Sequence, residues 1–378
     1  MLFNKKLQLC TIFLELISLV AILWRWSFLV YSIKIITQKL GFSKFLLLIL
    51  HSVKMKELDQ IKQLIGDELD KLNKVIDQTL TSDNQLMNTI VSNYLKTKGK
   101  QLRPMLVLLS AKIMGEINDR VITAGAAIEI LHNASLIHDD VIDDSKQRRG
   151  ADTINGVWKN HVAVLVGDFF VSRALTCAVE TGDKDILKVL ALLGSDLSLG
   201  EIDQYNTARN HIISEEAYFN IIGKKTASLF TSCVEVGAMA AGVKGERLNS
   251  IKEFARLLGL CFQIKDDTFD YFHNPIVGKP TGNDLREGKV TLPLIYALSL
   301  NDRPERDHML SLIEQPQYSD TDITCLVEWA KDCGGIDYAY GKMHELCNRA
   351  EALLSEYGDT ASTRALKAIF HYIIDREK

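Results

Sequence analysis

From Met55 onward, apolar residues return every three or four positions. Leu58, Ile61, Ile65, Leu69, Leu72, Ile76 and Leu80 keep this rhythm, with Asp, Glu and Lys between them. It is the period of a helix with one buried stripe. The same reading predicts helices over 55–80, 84–96, 103–114, 119–143, 160–180, 183–204, 215–241, 252–272 and 292–300, with several more across 307–375. Of six prolines, none lies between Met105 and Asn274, so that whole stretch has no helix breaker. Strand-type alternation is not sustained anywhere, and strands do not alternate with helices, which argues against doubly wound and barrel α/β folds. The expected fold class is all-α, a single large helical bundle. One long internal loop, 275–290, is polar and glycine-rich and carries five charged residues. Loops of that length in compact domains usually carry function.

The first 54 residues follow another pattern. Leu7–Trp24 is apolar except for Glu15 and a few polar positions, Trp26–Ile36 is a second apolar run broken by Lys34, and Phe45–Leu50 is too short to span a bilayer. The first run is at the lower length limit for a membrane helix, and Glu15 near its middle costs a few kcal/mol on insertion. No small-x-small cleavage site follows, which argues against a signal peptide. Two readings stand: a membrane anchor or hairpin, or a start set too far upstream with Met55 as the true beginning. The second is favoured, because Met55 opens a clean amphipathic helix at once. The expected organisation is therefore an apolar, basic extension over 1–54 and a globular domain over 55–378.

Charge separates the same two parts. Residues 1–54 hold seven Lys/Arg against one acid, while the whole chain has 44 Lys/Arg against 48 Asp/Glu. The globular part is thus acidic, unlike a nucleic-acid-binding domain. Hydrophobic residues make up 47%, enough for a large core and against global disorder. Seven cysteines, an odd number with no Cys-x-x-Cys pair, argue against a disulfide framework or structural zinc site. They fit a reducing compartment, so the expected location is cytoplasmic, with membrane association if residues 1–54 belong to the protein.

The chemistry lies in two acidic clusters. In His138-Asp139-Asp140-Val141-Ile142-Asp143-Asp144, Asp139 and Asp143 are one helical turn apart with Asp140 beside them. Like charges at this spacing destabilise a helix unless something neutralises them. The run before them, 124–137, is apolar, so the acids end a core helix. Asp266-Asp267-Thr268-Phe269-Asp270 repeats the D-D-x-x-D spacing, again after an apolar helix. Either cluster alone could be a solvated helix end; two with the same context suggest carboxylates facing one another across a cavity. Hard divalent cations bridging to phosphate oxygens, magnesium above all, suit them. Cationic side chains stand nearby: Lys100 and Arg103 at a helix start, Arg148 and Arg149 after the first cluster, Lys224 and Lys225 with Thr226, and Lys279 and Lys289 on the long loop. Taken singly, each reads as a solvated surface residue.

Together, Gly-Lys-Gln-Leu-Arg-Pro at 99–104, the two aspartate motifs with their flanks, Arg-Arg-Gly at 148–150, Lys-Thr at 225–226 and Gly-Lys-Pro-Thr-Gly-Asn-Asp-Leu at 278–285 resemble the trans-isoprenyl diphosphate (polyprenyl) synthase family. The motifs stand in the family's order, and the resemblance covers 55–378 only. It implies an all-α bundle around a deep cavity, usually a homodimer. The implied reaction condenses isopentenyl diphosphate with an allylic diphosphate in the trans configuration. Asp139, Asp140, Asp143, Asp266, Asp267 and Asp270 match the residues that bind three magnesium ions on the allylic diphosphate. Arg148, Lys225, Thr226, Gln263, Lys279 and Lys289 match the allylic diphosphate side, and Lys100, Arg103, His132 and Arg149 the isopentenyl diphosphate site. No protein nucleophile is implied, since metal and cations stabilise the leaving diphosphate.

Competing readings are weaker. A class I terpene cyclase carries a different second metal motif and needs no isopentenyl diphosphate site. A non-catalytic subunit of a heteromeric synthase usually loses acidic motifs, and both are intact here. A membrane protein rests on residues 1–54 alone. Small residues one turn before Asp139, Ala134 and Ser135, with Leu131 deeper, predict room for a product longer than the fifteen-carbon chain, in the range used for quinone side chains. Membrane contact follows either from residues 1–54 or from release of such a product.

Overall fold

A computed structural model describes residues 61–376 except 62, 98, 273–280 and 316. The extension 1–54, the proposed start at Met55 and Lys279 therefore lie outside the described residues. An opening helix, α1, covers 63–79 and buries Ile65, Leu69, Leu72 and Ile76. It is followed by α2 (Gln85–Leu95), α3 (Leu102–Met114), α4 (Asp119–Ile142), α5 (Ile154–Glu180), α6 (Lys184–Arg209), α7 (Glu215–Ile222), α8 (Ser228–Ala240) and α9 (Asn249–Phe269). Then come α10 (Asn283–Arg286), α11 (Leu292–Ser299), α12 (Arg306–Ile313), α13 (Asp320–Asp332), α14 (Gly335–Leu354) and α15 (Ala361–Asp375). Starts are set by side-chain caps: Asn84, Asn118, Thr153, Asp183 and Ser214 each accept a backbone N–H of the first turn. Ser319 and Thr360 form reciprocal capping boxes.

The bundle is centred on α4. Ala124, Ala126, Ala127, Ile128, Ile130, Ala134 and Ile137 are all buried, and α4 packs against α3, α5, α6 and α8. Its small side chains let these neighbours close in on several faces, as dense interiors require. On the other side, α9 packs on α8 and α14. A second apolar cluster joins Leu294, Leu298, Met309, Leu312, Ile323, Leu326 and Trp329 from α11, α12 and α13. By length and composition α4 and α5 are both long and apolar enough to cross a membrane, but the apolar window of α4 is 67% buried inside the bundle.

Three local departures from the sequence reading matter for the site. The helix expected over 215–241 is divided by a π-turn at Gly223–Ala227. Gly200 on α6 and Gly259 on α9 lie against this turn, where a Cβ would come 2.8 Å from Lys225 N and 2.5 Å from Ala227 Cα. Two helices thus press on a widened turn, a device common at functional sites. Second, a hairpin pairs β1 (Gln147–Arg148) with β2 (Ala151–Asp152). Arg149 (φ 54°) and Gly150 (φ 75°) form its turn, both in the left-handed region that tight hairpins need. Third, α5 begins at Ile154 and not at 160; Lys159 (φ 72°, ψ 162°) breaks it, so the predicted start falls at the second segment.

Candidate active site

Both acidic clusters sit at helix C-termini. Asp143 caps α4 and Asp270 caps α9. A helix C-terminus carries partial negative charge and disfavours anions. Six carboxylates there are stable only where cations compensate. Between the two helix ends opens a cavity of about 340 Å³, walled by Arg103, His132, Ser135, Leu136, Asp139, Arg148, Arg149, Leu197, Glu201, Lys225, Thr226, Leu229, Phe262, Gln263 and Asp266. A side cavity of about 140 Å³ shares Lys225, Thr226 and Gln263 and adds Asp267, Asp284, Lys289 and Tyr218.

The aspartates differ in their surroundings. Asp139 and Asp266 line the main cavity, and Asp267 lines the side cavity. Burial pushes the Asp139 carboxyl up to about 6; Lys225 opposes the rise, and Glu201 and Asp143 add to it. Buried Asp267 is raised as well, although Tyr218 Oη donates to it at 2.6 Å and Gln263 Nε2 at 2.8 Å. Asp284 is raised by burial and by the Asp267 and Asp270 charges. Asp266 accepts from Arg376 Nη2 at 2.7 Å. Asp270 accepts the backbone N–H groups of Asn283 and Asp284 at 3.0 and 2.9 Å, fixing the start of α10 beside it. Asp140 stands apart: it is buried, pairs with Arg148 Nε at 2.8 Å, and lines neither of these two cavities.

This donor set fits a hard divalent cation. It consists of oxygen ligands only, crowded enough that burial and mutual repulsion raise several carboxyls. Such a set is short of positive charge, which magnesium or a similar ion supplies.

The nearby cations are already partly neutralised. Lys225 Nζ pairs with Glu201 and reaches Gln204 Oε1 at 3.4 Å. Lys224 turns away to Asp203 at 2.7 Å, so one of the two adjacent ammonium groups leaves the site. Lys289 pairs with Glu287 and lies within electrostatic reach of Asp143 and Asp284. Thr226 Oγ1 donates to Gln263 Oε1 at 2.6 Å, locking that amide toward Asp267. Arg103, His132 and Arg149 converge on one wall, and the Arg149 guanidinium lies directly against Gly99. Lys100 does not join them. It is exposed, outside the cavity wall, with its ammonium 5.2 Å from the Tyr372 ring centre.

Of the residues expected to bound product length, Ser135 lines the cavity, and its hydroxyl donates to the His132 carbonyl at 2.9 Å. Ala134 and Leu131 are buried but do not line it. A helix advances about 100° per residue, so Ser135 shares the face of Asp139 whereas Ala134 turns toward packed neighbours. Leu136, Leu197, Leu229 and Phe262 supply the apolar wall and were not singled out by the sequence, nor were Glu201, Tyr218, Asp284 and Arg376.

His132 is held neutral. Burial first, then Arg103, Arg149 and Arg148, keep its pKa well below the usual 6.5. Below about pH 6.5 the unfolded chain takes up a proton that the folded chain refuses, so this contribution to stability is present above that pH and lost as pH falls. The raised carboxyls act with the opposite sign. The expected result is therefore differential: between pH 7.5 and 5.5, His132→Gln loses less urea resistance than the native chain.

Residues 84–329 match the family described as polyprenyl synthetase. The octaprenyl diphosphate synthase of Escherichia coli K12 is 33% identical over 323 residues, 85% of this chain and 99% of that one. Among solved structures, a decaprenyl diphosphate synthase from Rhodobacter capsulatus superposes with a TM-score of 0.79 at 30% identity, covering 85% of this chain and all of the other. A polyprenyl synthase from Caulobacter crescentus CB15, complexed with calcium and isoprenyl diphosphate, gives a TM-score of 0.77 at 30% identity over 84% of this chain and 98% of that one.

Proposed function

The chain belongs to the polyprenyl synthetase family, and we infer that it joins isopentenyl diphosphate to an allylic diphosphate in the trans configuration, releasing diphosphate and building a medium-to-long polyprenyl chain. The observation that carries this reading is the pairing of two aspartate-bearing helix ends with two sets of cations around one cavity. Lys225, Thr226, Gln263, Arg148 and Lys289 hold the allylic diphosphate near Asp139 and Asp266. Arg103, His132 and Arg149, which line the same cavity, bind the isopentenyl diphosphate. Neutral His132 serves as a hydrogen-bond donor there, adding no repulsion to the arginines. Asp139, Asp143, Asp266, Asp267 and Asp270 would hold magnesium, three ions by the family resemblance, and the bound metal would supply positive charge for the departing diphosphate. Asp140 acts through Arg148, which it orients. Leu136, Leu197, Leu229 and Phe262 keep water from the allylic cation until the isopentenyl double bond reaches it.

The test is product analysis with labelled isopentenyl diphosphate and allylic primers of ten, fifteen and twenty carbons. Chain elongation that stops in excess chelator is expected; a cyclised hydrocarbon, or no incorporation with any primer, would sink the reading. Tyr218 gives a finer check. Its hydroxyl orients Asp267, and removing such a supporting donor typically weakens metal binding by about tenfold or more. Tyr218→Phe should raise the magnesium concentration for half-maximal rate by about that factor, with little change in isopentenyl diphosphate KM.

A homodimer is part of the proposal. Val164, Leu165, Leu175 and Val179 on α5, with Leu192, Leu199 and Ile202 on α6, are exposed. Exposed apolar side chains grouped on neighbouring helices are costly in water, which supports covering by a partner. Covering by a second copy predicts a dimer by light scattering, and Leu175→Glu should shift it toward monomer.

A further inference from the structure

Away from the cavity, α14 and α15 bring together a set of side chains that the prenyl transfer does not use. Cys347 and Glu351 lie one turn apart on α14, and His371 lies opposite them on α15. Their ligand atoms are all within 4.8 Å of one another, and His371 Nε2 meets Glu351 Oε1 at 2.7 Å. Cys347 is buried, while His371 and Glu351 reach solvent at the rim. Asp375 is exposed one turn beyond His371 on the same helix, near enough for its charge to act on Cys347. Each helix thus offers an i, i+4 pair on one face, the spacing that lets two side chains grip one ion.

The geometry points to a second metal site in this protein, a zinc-class site in which Cys347, Glu351 and His371 are ligands and Asp375 can close the tetrahedron. A thiolate, an imidazole and carboxylate oxygens favour a borderline-soft cation in tetrahedral geometry over magnesium. Donors around such an ion are about 3.3–3.7 Å apart, given bonds of about 2.0–2.3 Å. The observed cluster needs only rotamer-scale adjustment to reach that: the His371–Glu351 contact widens and the thiol turns in. Burial, with the Glu351 and Asp375 charges, pushes the Cys347 thiol up to about 11. Binding therefore breaks the S–H bond, forms the sulfur–metal bond and releases one proton to solvent. Just past His371, α15 carries Tyr372 beneath Lys100, and Arg376, which follows its last residue, pairs with Asp266. A metal at this site ties the helix that bears those residues to α14.

The experiment uses the full chain, stripped of metal and titrated with cobalt(II). A thiolate-to-cobalt charge-transfer band in the near ultraviolet, with the strong visible bands of a tetrahedral ion, is expected; zinc should displace both. The aspartate motifs offer oxygen ligands only and give neither signal. Cys347→Ala should abolish the charge-transfer band, and the rim variant His371→Asn should weaken binding at least tenfold. Both variants should keep native circular dichroism and the metal-free melting temperature. Zinc should raise the melting temperature of the native chain and not of Cys347→Ala. No charge-transfer band in the native chain, or a band that survives in folded Cys347→Ala, overturns the proposal and leaves His371 and Glu351 as a surface ion pair beside an inert thiol.

Discussion

Asp139→Ala and Asp266→Ala are each expected to lower turnover by about a thousandfold or more, a loss of about 4 kcal/mol of transition-state stabilisation. The reason lies in how the site's charges are already spent. Lys225 is paired with Glu201, Arg148 with Asp140, Lys289 with Glu287, and Arg376 with Asp266 itself. Protein cations in such pairs cannot alone neutralise a diphosphate as its bond to carbon breaks. On the proposed mechanism, metal held by Asp139 and Asp266 would supply the missing charge. The fold should survive. Asp139 ends α4 at a C-terminus that disfavours anions, and burial already raises its carboxyl. Removing it relieves repulsion, so metal-free stability should stay level or rise. Asp140→Ala is the contrasting case. It leaves Arg148 without the acid that fixes it, a change expected to cost about 1–3 kcal/mol in stability as well as rate. Steady-state rates beside thermal melts separate the two classes. Activity within tenfold of native for Asp139→Ala, or full activity in excess chelator, would remove the metal argument.

Most of the scaffold is legible in the chain. The three-to-four period of apolar residues and the absence of proline from 105–274 suffice for the helices. The repeat of D-D-x-x-D after two apolar runs suffices for the acidic ends of α4 and α9. What local pattern does not carry is how other elements complete the site. Tyr218 reads as one more apolar position of an amphipathic helix, yet its hydroxyl meets Asp267 from 49 residues away. Glu201 has no local signal, and Asp284 stands only as one letter of the 278–285 motif, yet each lines a cavity in the fold. The π-turn at Gly223–Ala227 arises from two neighbouring helices pressing on it at Gly200 and Gly259, a tertiary effect absent from its own composition. Arg149 is visible as a cation, but its place beside Gly99 depends on a turn with two left-handed residues. Spacing along α4 brings Ala134 and Ser135 equally near Asp139, and the rotation of the helix decides that Ser135 is the one on the cavity wall.

Product length should respond to that rotation. On the proposed mechanism, a growing chain would leave the site of cation formation past Asp139 and along the cavity side of α4. Ser135 is one turn back on that side, small and half-buried on the wall, with Leu136, Leu197 and Leu229 around it. A phenylalanine there places a rigid ring across the path, and a packed ring leaves no space for the next five-carbon unit. Ser135→Phe is therefore expected to end elongation several units early while sparing the first condensation, whose partners sit on the Asp139 side of the ring. Ala134 is fully buried beside it on the same turn. Ala134→Phe should also shorten the product, because its ring finds space only by displacing that wall, and overpacking should cost about 1–3 kcal/mol in stability. Ser135→Phe should show the shortening without a comparable loss. Chromatography of products made with excess isopentenyl diphosphate, read beside thermal melts of both variants, distinguishes the two effects. The native chain should pass fifteen carbons under these conditions. If it stops there, or if both variants leave the product distribution unchanged, the wall formed by α4 does not set chain length.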